Sequence, residues 1–160
     1  VDTSGITERL PMPEYQEECL ENLLDYLEEN ELQALFILSP TVMEEEKQKM
    51  YNYMGDIISG RGYEFLNMND YYGEIGLDFA ADFSDYGGHV NALGAEKCTA
   101  FLSGYLVENY GIKDRRGEKG CESWDAAYSQ WLKELEEAKV TIAKRIEEGD
   151  FADAPVEEPE

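Results

Sequence analysis

The sequence predicts an α/β fold: part of a doubly wound parallel sheet, followed by a long C-terminal helix. Two short apolar runs, residues 32–38 and 63–68, predict strands, and the first is apolar enough to be buried on both faces. A helical pattern separates the runs, and a right-handed strand–helix–strand crossover makes such strands parallel. Because a stable parallel sheet needs more than two strands, we expect further strands upstream of Val1, in a longer parent chain. The alternative is that the further strands lie within Val1–Leu10 or Glu74–Phe83.

Helical patterns lie on both sides of the first predicted strand. Apolar residues recur at helical spacing from Tyr15 to Leu27, with acidic residues on the opposite face. After the strand, Thr41-Val-Met-Glu44 has the composition of a capping box. We therefore expect a second helix to begin there and to end at Gly60-Arg-Gly62, where the glycines interrupt the helical pattern.

Two more helices are predicted in the second half. Asn91 is suited to cap the first of them, which ends at Gly111. The second is long, and its apolar stripe, spaced at alternating intervals of four and three residues, is expected to pack across its own domain or the parent chain rather than form a coiled coil. The stripe comprises Trp124, Tyr128, Trp131, Leu135, Ala138 and Ile142.

The predicted organisation has four parts. These are an irregular lead-in (residues 1–13), the α/β domain portion (14–122), the long amphipathic helix (123–149) and a disordered acidic tail (150–160).

The charge of the chain excludes several kinds of partner. Its 13 basic and 36 acidic residues give a net charge of −23. Nucleic acid and anionic membrane surfaces both bind clusters of Lys and Arg, so we expect neither as a partner. No run approaches the ~20 apolar residues of a membrane-spanning helix. The sequence therefore predicts a soluble segment without direct membrane contact.

The three cysteines give no sign of a metal centre. They are widely spaced and form no C-x-x-C pattern, so we expect neither a metal ion nor another cofactor. Cys19 and Cys98 fall on apolar helix faces, which predicts that they are small core residues.

The one histidine of the chain, His89, lies in a run that is typical of a catalytic loop. Imidazole titrates near neutral pH, and a carboxylate on one ring nitrogen leaves the other free to take a proton from a hydroxyl nucleophile. Asp82 and Asp85 are the two candidate carboxylates. A surface or hydrogen-bonded loop histidine is the alternative that the local run leaves open.

Aromatic residues surround this run within the long segment that follows the second predicted strand. Ligands bind at the carboxyl ends of parallel strands, and loops of this length are commonly functional. Tyr71, Tyr72 and Tyr86 are therefore candidate substrate-binding residues, together with Asn91.

The block Asp82-Phe-Ser-Asp85-Tyr-Gly-Gly-His89-Val-Asn91-Ala-Leu-Gly94-Ala95 resembles the last conserved block of SGNH/GDSL-type hydrolases. It is most similar to the membrane-anchored bacterial branch related to DltD and the alginate O-acetylation proteins, and the similarity extends over residues 32–131. The resemblance implies a three-layer flavodoxin-like (SGNH-like) sheet. It also implies an ester-hydrolysing or acyl-transferring Ser–His–Asp site, and an extracytoplasmic, membrane-anchored parent.

In that interpretation His89 is the base, Asp85 or Asp82 orients it, and the substrate is an ester or an acylated carbohydrate. The spacing from Asp85 to His89 is one residue longer than the Asp-x-x-His of the family. Neither Ser4 nor Ser39 fits the Gly-x-Ser block of the nucleophile, so the serine is expected upstream, in the N-terminal part of the parent chain.

Two other readings remain open from the residues alone. The chain could be a non-catalytic carbohydrate-binding or scaffold module that keeps the fold without the chemistry. Alternatively, carboxylates in the 70–85 segment could form a calcium site, since calcium prefers oxygen ligands, although their spacing is not that of an EF-hand. The carboxylates concerned are Asp70, Asp78, Asp82 and Asp85.

Overall fold

The computed structural model describes Thr3, residues 5–84 and residues 87–149, and the chain divides into two compact units, Val1–Tyr72 and Gly73–Glu160. The boundary falls inside the predicted 14–122 portion, and the predicted tail lies outside the described residues. The elements of the first unit are α1 (Glu14–Glu29), β1 (Leu35–Leu38), α2 (Glu45–Gly60), β2 (Glu64–Asn67) and a 3₁₀ turn (Met68–Tyr71). Those that follow are α3 (Tyr72–Ile75), β3 (Phe83–Ser84), β4 (His89–Val90), α4 (Ala92–Tyr110) and α5 (Glu122–Glu148).

The first unit is a strand–helix–strand arrangement, as predicted. Strands β1 and β2 are parallel, in a register that pairs Leu35 with Glu64 and Leu38 with Asn67. Helix α2 lies so close to β2 that a side chain at Gly55 would come within 2.7 Å of the Phe65 ring. The apolar core of this unit comes from α1, α2, β2 and the connecting segments. Its buried members are Leu24, Met43, Ile58, Leu66 and Met68.

Arg61, directly after α2, connects this helix to α1. Its guanidinium donates to Glu28 at 2.7 Å, and it contacts Asp25 and Glu21, each at 2.5 Å. The hydrogen bonds that Arg61 donates to Glu28 are the main reason that the pKa of Arg61 is raised, and the same interaction lowers the pKa of Glu28. The single positive charge of Arg61 therefore forms ion pairs with three acidic side chains of α1, a helix rich in acidic residues.

The predicted doubly wound, three-layer flavodoxin-like sheet is wrong. Within the described ranges the chain is mostly helical, and its strands form two separate two-stranded sheets, one parallel and one antiparallel. After β2 the chain forms turns, a short helix and a hairpin instead of another crossover unit. Strand β1 is also not covered on both faces, because Ile37 is 41% exposed.

The second unit combines the β3–β4 hairpin with two long helices. The hairpin pairs Phe83 with Val90 and Ser84 with His89. The predicted helices are confirmed, but the apolar stripe of α5 is buried only in its middle: Leu135 is 3% exposed, whereas Trp124 is 77% exposed.

Two local predictions are wrong. The capping box at Thr41 does not form, because α2 begins at Glu45 and the backbone N–H of Thr41 donates to Asn69 instead. Cys19 is exposed on α1 rather than buried, so the apolar face of that helix is narrower than the sequence pattern indicates. Cys98 is half-buried, and this burial raises the pKa of its thiol.

A buried carboxamide, Asn69, joins the segments that follow the two parallel strands. Its Oδ1 accepts from the backbone N–H of Thr41 at 2.9 Å and from the hydroxyl of Tyr72 at 2.6 Å. Its Nδ2 donates to the carbonyl of Ser39 at 3.3 Å and to Oδ1 of Asn67 at 2.8 Å. The side chain is fully buried, and its bond to Asn67 is buried as well, whereas its other three bonds reach half-buried or exposed partners.

We expect Asn69→Ala to lower the free energy of unfolding by about 2–4 kcal/mol, because it leaves several buried groups without their partner. Urea unfolding followed by circular dichroism measures this loss. The control is Asn30→Ala at the exposed end of α1, where one bond to the Tyr26 carbonyl is lost and a cost below about 1 kcal/mol is expected. Equal costs for the two variants would contradict the role assigned to Asn69.

Candidate functional site

The residues predicted for the site fall into three groups. In the first unit, at the carboxyl ends of β1 and β2, lie Tyr71 and Tyr72. On or beside the hairpin of the second unit lie Asp82, His89 and Asn91. Asp85 and Tyr86 lie outside the described residues.

The hairpin presents His89 at its surface. His89 is the first residue of β4, and it is exposed. Directly opposite it on β3 is Ser84, whose hydroxyl donates to the main-chain carbonyl of His89 at 3.4 Å. The structure therefore places a serine beside the histidine, with the serine hydroxyl bonded to the backbone.

Asp82, one of the two predicted partners of His89, is a buried anchor for the turn and the helix next to it. Its Oδ2 accepts from the backbone N–H of Asp78 at 2.7 Å and contacts the Lys97 ammonium at 2.5 Å. Lys97 also donates to the carbonyl of Gly76 at 2.9 Å. Because Oδ2 is held by these two donors, Asp82 fastens α4 to the segment that leads into the hairpin.

Asn91 caps α4, as predicted, and also holds the hairpin. Its Oδ1 accepts from the N–H groups of Leu93 and Gly94 at 2.9 and 3.3 Å. Its Nδ2 donates to the carbonyls of Ala81 and Phe83 at 2.6 and 3.3 Å. Both halves of the carboxamide are therefore engaged within the protein.

Gly94 allows the helix to approach the hairpin closely. A Cβ atom at this position would lie 2.4 Å from the backbone oxygen of Asp82 and 2.9 Å from Cβ of Val90. The first turn of α4 thus rests on the hairpin backbone, and Gly94 is the residue that fits there.

Of the two candidate tyrosines in the first unit, Tyr71 and Tyr72, the second is hydrogen-bonded within the Asn69 network. Its hydroxyl contacts the carbonyl of Thr41 and Oδ1 of Asn69. Tyr71 is half-buried. The hydroxyl of Tyr72 therefore has a structural role at the end of the parallel strands.

Sequence reasoning missed the buried polar residues that continue this network. Gln48 donates to Asp70 and Asn52 at 3.4 and 3.0 Å, and its Oε1 accepts from Thr3 at 3.2 Å. Asn67 also donates to Asp70, at 3.2 Å. The signal in the sequence was the pair of asparagines, Asn67 and Asn69, at the end of an apolar run, whereas Gln48 lies on the side of α2 opposite Met50 and Met54 and gave none.

Asp70 is the titratable member of the network, and unlike Gln48 and Asn67 it is exposed to solvent on one side. Desolvation by its surroundings raises its pKa, although the two hydrogen bonds that it accepts act in the opposite direction. Its carboxyl group is therefore more readily protonated than an ordinary aspartate, at a place where the ends of both parallel strands meet.

Metal binding finds no support in the described part of the chain. No group of three or more His, Cys, Asp or Glu side chains is arranged there to hold an ion. Of the carboxylates proposed for calcium, Asp78 accepts from the backbone N–H of Ala80 at 2.9 Å, and Asp82 is held by Lys97.

Comparisons with known proteins leave the family of the chain open. Against family models, curated proteins and solved structures, the chain gives no significant match. None of the helices in the described ranges combines the length and apolar composition needed to span a membrane.

We expect Asp70→Asn to stabilise the first unit at pH 7 and to have no effect near pH 3. Because the folded pKa of Asp70 is raised, the stability that it contributes is complete below the unfolded pKa and is lost as the pH rises through the folded pKa. The amide keeps a similar shape but cannot ionise. Thermal unfolding of both proteins between pH 3 and pH 7 measures the difference.

Asp56→Asn is the matched control, with the opposite sign. A hydrogen bond from Arg9 lowers the pKa of Asp56, so the stability that it contributes is present at pH 7 and is lost as the pH falls through the folded pKa. A Tm at pH 7 that is lower in Asp70→Asn than in the wild type would contradict the assignment of Asp70.

For Asn91 we expect Ala to cost about 1–2 kcal/mol and Ser to cost less. Ala loses the helix cap and both bonds to the hairpin, whereas Ser loses those two bonds but keeps a side-chain oxygen that can cap the helix. Chemical unfolding monitored by tryptophan fluorescence reports on this unit, because both tryptophans lie in α5. If Asn91→Ser were as unstable as Asn91→Ala, the cap would not be the main contribution.

Proposed function

We propose that this chain is the C-terminal portion of an ester hydrolase or O-acyltransferase in which His89 is the general base. The proposal rests on one observation: His89 is exposed on a hairpin that is held against α4 by Asn91 and by the contact of Asp82 with Lys97. Asn91, Gly94 and Asp82 fix the backbone around it, which gives the main chain of His89 a defined position.

The proposed chemistry uses the imidazole as a proton carrier. One ring nitrogen takes the proton of a serine hydroxyl while the serine oxygen attacks the ester carbonyl carbon. His89 then gives the proton to the oxygen of the leaving alcohol, and the acyl-serine passes its acyl group to water or to an acceptor hydroxyl. Acid–base assistance of this kind contributes about 10²–10⁴-fold.

We assign the serine to the part of the parent chain that precedes Val1. Ser84 is adjacent to His89, but its hydroxyl is bonded to the His89 carbonyl, which argues against a nucleophile at that position. Asp85 is the proposed orienting carboxylate, because Oδ2 of Asp82 is held by Lys97 and by the backbone of Asp78. The role of Asp85 rests on the resemblance alone.

The test is ester hydrolysis by the natural polypeptide that carries this segment, with all residues that precede Val1. We expect His89→Ala to lower kcat/KM for p-nitrophenyl acetate by about 10²–10⁴-fold. Ser84→Ala is the matched variant in the opposite strand, and we expect it to keep activity and labelling by a serine-directed fluorophosphonate. Circular dichroism verifies that both variants fold.

Two results would change the proposal in different ways. A folded His89→Ala protein with activity within about twofold of wild type would overturn it and favour the non-catalytic carbohydrate-binding or scaffold module. Loss of labelling in Ser84→Ala would instead place the nucleophile in this chain and contradict the upstream serine.

A further inference from the structure

Helix α1 has two apolar sides, and one of them faces solvent. Leu24 lies on the inner side and is fully buried in the core of the first unit. About half a turn away around the helix, Tyr15 and Tyr26 are 76% and 57% exposed. They belong to a stripe whose members recur at intervals of four, four and three residues: Tyr15, Cys19, Leu23 and Tyr26. This tyrosine stripe leaves an apolar strip about 16 Å long open to solvent.

The charge of α1 differs from that of the other long helices. Its 16 residues include seven acidic side chains and no basic one, whereas the 27 residues of α5 include seven acidic and four basic side chains. The acidic residues of α1 follow one another at spacings of three and four, at which like charges on a helix repel each other. Glu28 and Glu29 also lie in the last turn, where the helix dipole favours positive charge. A positively charged partner would relieve this repulsion.

The chain itself compensates only one edge of the helix. The three ion pairs of Arg61 lie along that edge. On the other edge, beside the tyrosine stripe, three exposed acidic residues form no ion pair with any described residue: Glu14, Glu18 and Glu29. This acidic edge and the tyrosine stripe together form one surface, the outer face of α1. Apolar area and uncompensated negative charge therefore lie side by side on it.

We propose that the outer face of α1 binds a basic amphipathic helix of a partner protein. Apolar side chains of the partner pack on the tyrosine stripe, and its Lys or Arg side chains pair with the acidic edge. Charge complementarity favours this occupant over others. A second copy of the chain would bring together two helices without a basic residue, and the same charges repel nucleic acid and anionic membranes. This inference concerns the first unit alone and does not depend on the proposed esterase chemistry.

The experiment titrates the full chain with a synthetic peptide of about 14 residues, in which Leu and Lys occupy opposite sides of the helix. Isothermal titration calorimetry at about 0.1 M ionic strength measures the affinity, and we expect one peptide to bind with a micromolar dissociation constant. Tyr15→Ser/Tyr26→Ser should weaken binding about tenfold, because exposed aromatic side chains anchor such interfaces. Glu18→Gln/Glu29→Gln should weaken it about three- to tenfold, as expected for two exposed ion pairs.

Each double variant has a control elsewhere on the surface. Glu46→Gln/Glu137→Gln removes two exposed acidic side chains outside α1 and so changes the net charge by the same amount. Val140→Ser removes an exposed apolar side chain of α5. We expect both controls to bind the peptide like the wild type. Circular dichroism and thermal unfolding verify that every variant folds.

Three outcomes would overturn the proposal. The first is the absence of saturable binding. The second is an equal affinity of either α1 variant and its control, because the peptide would then respond to the overall charge of the chain and not to the outer face of α1. The third is a dimer of the chain that dissociates when both tyrosines are replaced, which would make a second copy the occupant. Sedimentation velocity detects such a dimer.

Discussion

The first unit depends on the buried carboxamide of Asn69. Two parallel strands of four residues form only a short ladder, and nothing in that ladder holds the segments beyond it together. Asn69 does so by bonding to Ser39 and Thr41 after one strand and to Asn67 at the end of the other. A buried amide is costly unless its bonds are made, so this network also selects one arrangement over its competitors.

The second unit uses the same principle at the hairpin. Asn91 bonds to the first turn of α4 with its oxygen and to the hairpin backbone with its nitrogen. Gly94 permits the close approach of α4 to the hairpin. The ion pair of Asp82 with Lys97 connects α4 to the segment that leads into the hairpin. Asp82, Asn91 and Gly94, which belong to the block that resembles a hydrolase motif, thus have a structural role: they pack the hairpin against α4. Among the described residues of the block, His89 is the exposed one with a titratable side chain, which is why we assign the chemistry to that residue.

Local patterns predicted the helices, the two parallel strands and the cap at Asn91, because those features are set by residues close in sequence. The extent of the sheet was not predictable in this way, since it depends on which segments pair. The capping box failed for a related reason: the backbone of Thr41 is taken by Asn69, 28 residues away. Cys19 shows that helical spacing defines an apolar face without defining how much of that face is covered.

The site was predictable to the same limited degree. His89 and Asn91 stand out in a local run. The structural role of Asp82, in contrast, is set by its contact with the Lys97 ammonium of α4, which lies 15 residues away in the sequence. In a chain with 36 acidic and 13 basic residues, most described cations form ion pairs. Some of these pairs join sequence neighbours, such as Lys49 with Glu45, and local spacing indicates them. Others join distant residues, such as Arg9 with Asp56 and Lys97 with Asp82, and only the tertiary structure decides which acid each of those cations meets.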